Sequence, residues 1–452
     1  MNCLGDKVPS AVKRVVKKLQ AAGFEAYPVG GAVRDLLLGR KVGDWDITTN
    51  ARPELVAALF ERVIPTGIAH GTVTVLSGRR SIEVTTFRSD IGYSDGRHPD
   101  RVVFLRSLRE DLGRRDFTIN AMAYDLERKK LVDPHGGRRD LARRLVRAVG
   151  DPDRRFSEDG LRPLRAMRFA CVLDFDIDGR TYRAIPGALS VFRNIAPERV
   201  RDELLKMLAS RQAARGIELL QECGLLDGIL PELQATIGFA QNRFHRHDVY
   251  RHSLECLRHS RGDAVLKLSV LLHDIGKPET AAGPVGERTF YGHEAASSRL
   301  AGCIMRRLKF SNAQIRRVQA LIGGHMFHYE EGWTDGAVRR LVSRADPLNL
   351  TDLWEMRRAD AWGRGMGVRA TLANLRALKA RVEKVMRADA AFKVTDLAIG
   401  GQDVMKILGC RPGPLVGRML DQLLERVLDD PALNNKKALE SQIRSIAGQS
   451  LA

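Results

Sequence analysis

"GDWDITTN", residues 43–50, carries two aspartates, Asp44 and Asp46, with one residue between them. Ile47, Thr48 and Thr49 follow, and β-branched residues favour a strand. Successive strand side chains point to opposite faces, so this reading turns both carboxylates the same way. Like charges on one face repel unless they share divalent cations. Two metals about 3.5–4 Å apart stabilise the attacking and leaving oxygens of phosphoryl or nucleotidyl transfer. Mg2+ favours such oxygen ligands. A solvated strand end would also carry such a pair, so the surroundings decide.

Just upstream, "FEAYPVGGAVRDLLLG" (24–39) reads as strand, glycine turn and helix. Glycine lets backbone approach a phosphate, and helix N-terminal amides attract anions. Arg34 adds charge-assisted contacts to a triphosphate. Downstream, "TVTVLSG" (72–78) and "RRSIEVTTF" (79–87) read as two strands joined by a glycine turn. Glu83, in the second, is either a third carboxylate facing the pair or an outward polar residue of an alternating strand. "SDIGYSDGRHPDRV" (89–102) reads as a polar loop.

A chain of 452 residues has room for two to four domains. With 44% hydrophobic and 29% charged residues it reads as soluble and globular. Lys and Arg outnumber Asp and Glu by 74 to 55, a net +19, which favours a nucleic acid over a membrane surface as partner. None of the six cysteines forms a CxxC pair, so the reading is a reducing cytoplasm without a disulfide framework or zinc knuckle. Val12, Val15, Val16 and Leu19 recur at helical spacing between lysines and an arginine, the pattern of a surface helix. No run approaches about 18 apolar residues, so no membrane span is expected. From about residue 151 the pattern turns helical.

Four ordered motifs are then familiar: "VGGAVRDLLLGRKVGDWDITTNARPE" (29–54), "TGIAHGTVTV" (66–75), "RRDFTINAMAYD" (114–125) and "EDGLRPLRAMRFA" (158–170). They resemble the nucleotidyltransferase core of the class II tRNA nucleotidyltransferase/poly(A) polymerase family. The resemblance runs from about residue 8 to about 226, and more loosely beyond. It implies an α+β fold: a small mixed, five-stranded palm-like sheet at the N-terminus, then a mostly helical neck, body and tail. The corresponding division is 1–150, 151–230, 231–365 and 366–452. It also implies two-metal transfer of a nucleoside monophosphate to an RNA 3′-hydroxyl. On that reading Asp44 and Asp46 hold Mg2+, with Glu83 as the third catalytic carboxylate. Gly31 and Arg34 touch the triphosphate. Arg115 and Asp116 contact the nucleotide at its sugar.

Base choice has a physical reading. Asp159, Arg162, Arg165 and Arg168 recur every three residues, which on a helix commonly means a charged face laced with ion pairs. Cytosine and adenine, however, each present an amino donor beside a ring-nitrogen acceptor. Asp159 can accept from the first while Arg162 donates to the second. Uracil and guanine mismatch both, at about 1–3 kcal/mol per buried group. The resemblance assigns Asp159 and Arg162 to this readout, with Arg165 and Arg168 nearby. Pro163 argues that the helix starts there, which leaves Asp159 outside simple helical spacing.

A second set of ligands lies in "HRHDVYRHSLE" (245–255), "LLHDIGKPET" (271–280), "YGHEAASS" (291–298), "GGHMFH" (323–328) and "RRADAWGRG" (357–365). Imidazole and carboxylate together suit a transition metal, Mg2+ or Mn2+. The order His252, His273–Asp274, His293, His325, Asp360 resembles the HD phosphohydrolase domain. The inner set is then His252, His273, Asp274 and Asp360, with His293 and His325 serving a second divalent metal of unassigned identity. His245 and His247 are read as positioning RNA or capping a helix.

The leading expectation is a cytoplasmic, template-independent enzyme adding CCA to tRNA from CTP and ATP. Addition of the terminal A alone is the closest alternative, since it needs the same motifs. Poly(A) polymerase comes next, disfavoured by "IAHGTVTV". Then follow an HD phosphohydrolase with an RNA-binding head and a non-catalytic tRNA-binding scaffold. The loop 89–100, with Gly92 and Gly96 as hinges, is expected to reshape the pocket between cytosine and adenine. Such a loop argues against CC-only addition within the family. The tail around Lys406, Arg411 and Arg418 reads equally as an RNA-binding surface or a solvated amphipathic helix.

Overall fold

The structure is a computed structural model that describes residues 4–68, 71–91, 101–105, 107–327, 329–330, 332–345, 349–388 and 391–449. The chain forms two compact units, Met1–Pro231 and Glu232–Ala452. In the first, the helix Ser10–Ala21 buries Val12, Val15, Val16 and Leu19 and leaves Lys17 and Lys18 exposed, as its periodicity predicts. Full burial contributes about 1.5–3 kcal/mol for each such side chain.

The strands are β1 (Ala26–Val29), β2 (Asp46–Thr49), β3 (Val63–Gly67), β4 (Thr72–Ser77), β5 (Arg80–Thr86), β6 (Arg88–Ile91), β7 (Arg101–Phe104), β8 (Ala123–Asp125) and β9 (Lys130–Val132). Seven of them form one mixed sheet in the order β3-β4-β5-β2-β1-β8-β9. This replaces the expected five strands. β8 and β9 are too short for alternation to reveal them, and β3 contains Pro65, which an edge position tolerates. The segment read as a polar loop pairs at both ends, as the antiparallel β6–β7 ribbon. Residues 92–100, with both expected hinge glycines, lie outside the described residues.

Strand β2 is antiparallel to β1 and parallel to β5. Ile82, Val84 and Thr86 of β5 face the core, whereas Ser81 and Glu83 are exposed. The strand of the opening stretch starts only at Asp46. Asp44 lies before it, exposed, in an irregular run, so strand alternation does not set its direction.

Helices Pro152–Glu158, Arg162–Leu173 and Pro197–Ala209 complete the part of this unit that bears on base choice. The second begins at Arg162, with Pro163 in its first turn, where a missing N–H costs nothing.

The second unit is helical. Val249–His259, Ala264–Leu272, His293–Arg307, Asn312–Gly323 and Leu350–Arg364 pack on one another. Asp248 and Asp263 cap the first two through their side chains. Towards the C-terminus, Val404, Leu423, Leu439 and Ile443 close a separate apolar cluster, leaving Lys406, Arg411 and Arg418 exposed. No helix among the described residues is long and apolar enough to cross a membrane.

Candidate functional site

In the first unit, the sheet brings Asp46 and Glu83 into register on adjacent parallel strands, so the two carboxylates share a face. Burial first, then the Glu83 charge, pushes Asp46 up to about 6 against the pull of Arg115, and Asp44 adds to the rise. Glu83 and Asp44 are thus near enough to Asp46 for their charges to be felt there, and carboxylate oxygens suit a hard divalent cation. Gly30, at φ 72°, turns the chain between β1 and the helix Gly31–Leu37. A Cβ there would sit 3.0 Å from Arg115 Nη1 and 3.9 Å from Asp46 Oδ2, so glycine lets these groups converge.

Arg34 donates to Asn120 Oδ1 (2.6 Å) and to both oxygens of Asp35, and its guanidinium lies over the Phe169 ring. Arg115 reaches Asp111 at 3.4 Å, and its buried Nε has no hydrogen-bond partner. Asp111 is fully buried and also accepts from Thr48 Oγ1 of β2, which ties the Arg115 segment to the strand of Asp46. Asp116 accepts from Asn120 Nδ2 and, twice, from Arg165 (2.9 and 2.6 Å). Although burial opposes it, the Arg165 guanidinium holds the Asp116 carboxyl well below the usual carboxylate range.

The four charges spaced three apart do not form one helical face. Asp159 ends the Pro152–Glu158 helix, where Oδ1 accepts from Leu161 N (3.0 Å) and Oδ2 from Arg199 (2.8 Å). Arg162 is buried and donates to Glu158 Oε2 (2.7 Å) and to the carbonyls of Arg155 and Arg114. Arg165 and Arg168 both ion-pair with buried Glu203. Sequence reading missed Arg199 and Glu203. Their helix reads only as amphipathic and charged, and nothing local says that its glutamate is inside. Asn120, four residues after Asp116 in "RRDFTIN", was findable as a polar partner at one helical turn.

In the second unit, all six expected ligands converge and all are buried. His252 Nε2 lies 3.2 Å from His273 Nε2, 3.2 Å from Asp274 Oδ2 and 3.4 Å from Asp360 Oδ1. His293 Nε2 lies 3.3 Å from Asp274 Oδ1. His273, His293 and His325 each turn Nδ1 to a carbonyl three residues earlier, those of Val270, Phe290 and Ile322. A carbonyl only accepts, so Nδ1 carries the proton and Nε2 offers its lone pair to the cluster. Burial, aided by His273, pushes His325 down to about 3, the neutral form a metal needs. Burial opposes the charge on Asp274, but His273 and Lys277 hold its carboxyl well below the usual range. Lys277 Nζ lies 2.7 Å from Asp274 Oδ2. His245, left out of the sequence-based set, meets His252 edge to face at 5.4 Å. A cavity of about 490 Å3 opens onto Asp274, His293, His325 and Asp360, with Lys277, Arg357 and Arg364 around it.

A mixed sheet carrying carboxylates beside a glycine turn is the class of a polymerase head: residues 26–147 match the family described as "Poly A polymerase head domain". Residues 174–237 match "Probable RNA and SrmB- binding site of polymerase A", and 295–443 match "tRNA nucleotidyltransferase domain 2 putative". The CCA-adding enzyme of Geobacillus stearothermophilus is 34% identical over 433 residues, 94% of each chain. That of Lactobacillus helveticus (strain DPC 4571) is 48% identical over 227 residues, 50% of this chain and 57% of that enzyme. The crystal structure of the Bacillus stearothermophilus CCA-adding enzyme in complex with CTP matches with a TM-score of 0.73 at 28% identity, over 98% of this chain and 100% of that one. The chain belongs to the tRNA nucleotidyltransferase/poly(A) polymerase family, and use of a divalent metal comes with that family.

Proposed function

We propose that this chain adds CCA to tRNA 3′ ends from CTP and ATP, without a nucleic-acid template, by two-metal nucleotidyl transfer. The observation that carries this reading is the pairing of Asp46 with Glu83 beside the Gly30 turn, in a chain related end to end to a CCA-adding enzyme. Asp44 and Asp46 hold Mg2+, with Glu83 as the third carboxylate. A divalent metal held by these carboxylates would supply charge stabilisation to the attacking and leaving oxygens. The Gly31 amide and Arg34 receive the triphosphate. Arg115 and Asp116 position the sugar. Asp159 and Arg162 read the base edge by exchanging their contacts with Arg199 and Glu158 for the base, with Arg165 and Arg168 fixed nearby by Asp116 and Glu203. The net charge of +19 supports tRNA as the polyanionic partner, and six cysteines without a CxxC pair suit a reducing cytoplasm. Head, neck, body and tail follow the division at residues 150, 230 and 365.

The deciding assay uses tRNA ending at the discriminator base beside tRNA already ending in CC. Full CCA addition extends both, the first by three nucleotides. Extension of the CC-ending tRNA alone, by one A, would make this an A-adding enzyme and overturn the assignment.

Base choice has its own expected result. Asp159→Asn turns part of an acceptor into a donor and so matches the carbonyl of uracil or guanine. At about 1–3 kcal/mol per mismatched group, selectivity for CTP and ATP over UTP and GTP should fall roughly ten- to hundredfold. Competition between labelled nucleotides checks this, and unchanged selectivity removes Asp159 from the readout.

A second activity is supported by the convergence of six ligands on one buried point: metal-dependent hydrolysis of small phosphoesters, 2′,3′-cyclic phosphates among them. His252, His273, Asp274 and Asp360 would hold one metal and His293 and His325 a second. The cations around the cavity suit an anionic substrate.

A further inference from the structure

The lining of the second unit's cavity is of two kinds. Its buried part is ionisable: Asp274, His293, His325 and Asp360. Its open part is apolar, with Tyr291 88% exposed and Met326 55% exposed. A volume of about 490 Å3 falls among small-ligand pockets, about 300–1,000 Å3, in which apolar walls hold a ligand and a few polar groups orient it.

The three cations of the lining differ in what they have left to give. Lys277 Nζ and Arg357 Nη1 each lie 2.7 Å from a carboxylate oxygen of the cluster, Asp274 Oδ2 and Asp360 Oδ2. Arg364 is not so held. Its Nη2 lies 3.7 Å from Asp360 Oδ2, beyond hydrogen-bond reach. Its Nε and Nη2, both turned inward, have no hydrogen-bond partner among the described residues. These two nitrogens form one edge of the guanidinium. It is the edge with which Arg34 grips Asp35 and Arg165 grips Asp116 in the first unit. Two such donors match two oxygens of a phosphate, and a buried donor without a partner is costly. The Arg364 side chain is 27% exposed, which gives it room to turn this edge into the cavity that it lines.

Tyr291 is held out by its neighbours. Ala282 and Thr289 exchange backbone hydrogen bonds of 3.0 and 2.9 Å, which closes the loop leading to it. Asn242 Nδ2 donates to the Arg288 carbonyl in the same loop. Phe290 is buried, and its carbonyl accepts from His293 N (3.2 Å) and from His293 Nδ1 (2.8 Å). Gly292, at φ 77°, then turns the chain into the helix that begins at His293. The exposed ring is thus carried on a turn fixed to the cluster, and little ordering remains to be done when something stacks on it.

We propose that this cavity takes a nucleotide, with Arg364 holding the phosphate by its Nε–Nη2 edge and Tyr291 stacking on the base, so that these two residues set which phosphoesters are hydrolysed. This rests on reading the cluster as the hydrolytic site. Neither residue belongs to the expected ligand set. Every base has a π-face, so stacking favours a base over none and does not choose among the four. The hydrolysis is balanced by water alone: its oxygen bonds to phosphorus, and the ribose oxygen that leaves takes up a proton.

The test compares adenosine 2′,3′-cyclic phosphate with ribose 2′,3′-cyclic phosphate, which lacks the base, on the full chain loaded in turn with Mg2+, Mn2+ and Zn2+. The unmodified protein should prefer the nucleotide at least tenfold in kcat/KM, and through KM. Tyr291→Ala should erase that preference, whereas Tyr291→Phe should keep it, because stacking needs the ring and not the hydroxyl. Arg364→Ala should lower kcat/KM at least tenfold for both substrates, and Arg364→Lys should recover only part, since an ammonium restores the charge without the paired donors. Equal use of the two substrates by the unmodified protein, or a preference that survives Tyr291→Ala, overturns the base platform and leaves the hydrolytic reading standing. Full activity in Arg364→Ala overturns the phosphate assignment. Hydrolysis of neither substrate with any of the three metals overturns both the proposal and the reading under it.

Discussion

Asp46→Ala should abolish nucleotide addition, and Asp44→Ala should do nearly the same. Each removes a carboxylate from an all-oxygen set, and losing several kcal/mol of transition-state charge stabilisation means a drop of about a thousandfold or more. Affinity for tRNA should stay nearly intact in both variants. It rests on contacts from Lys and Arg to phosphate and should fall with added salt in wild type and variants alike. The Asp46 pKa adds a pH dependence. This carboxyl is raised to about 6, so the proton and the metal compete for it in the range just below neutrality. A raised acid is protonated first as pH falls, so the apparent Mg2+ affinity should weaken through pH 6 and saturate above 7. Single-turnover addition assayed against Mg2+ at several pH values reads both effects. Wild-type turnover in either variant would remove the two-metal assignment.

What could be read ahead of the structure was local. Strand, Gly30 turn and helix follow from a short stretch with strong punctuation, and the first helix follows from four valines and leucines at helical spacing. The six clustered residues of the second unit were legible because histidine and aspartate are costly to bury and so stand out in apolar helices. Pairings across long sequence distances were not legible. The parallel register of Asp46 with Glu83 depends on β3 and β4 leading the chain away and back, and no periodicity encodes it. The direction of Asp44 does not follow from strand alternation, because residues 41–45 are irregular and the strand starts only at Asp46. The hydrogen bonds that hold Arg162 to Glu158 and two carbonyls depend on how the Pro152–Glu158 helix folds back, which the triplet spacing hides.

Asp274→Asn is the substitution whose consequences should be largest in the second unit. Asp274 touches His252, His273, His293 and Lys277 at once, with all of them buried. The amide keeps the shape but loses the charge. Metal binding should fail, and hydrolysis of 2′,3′-cyclic nucleotides should fall to background. Stability should fall too, because Lys277 is left buried with Gln241 as its other hydrogen-bond partner and no counter-ion at 2.7 Å. Breaking such a pair from one side costs about 3–5 kcal/mol. Lys277→Met should therefore restore most of the lost stability when combined with Asp274→Asn, since both charges are then gone, while hydrolysis stays absent. His273→Ala removes a ligand without stranding Lys277, so it should abolish hydrolysis at a smaller cost in stability. Thermal unfolding of the three variants separates the effects. Full hydrolysis in His273→Ala or Asp274→Asn would exclude this cluster as the hydrolytic site. An unchanged melting temperature in Asp274→Asn would mean that Lys277 does not depend on Asp274 for its burial.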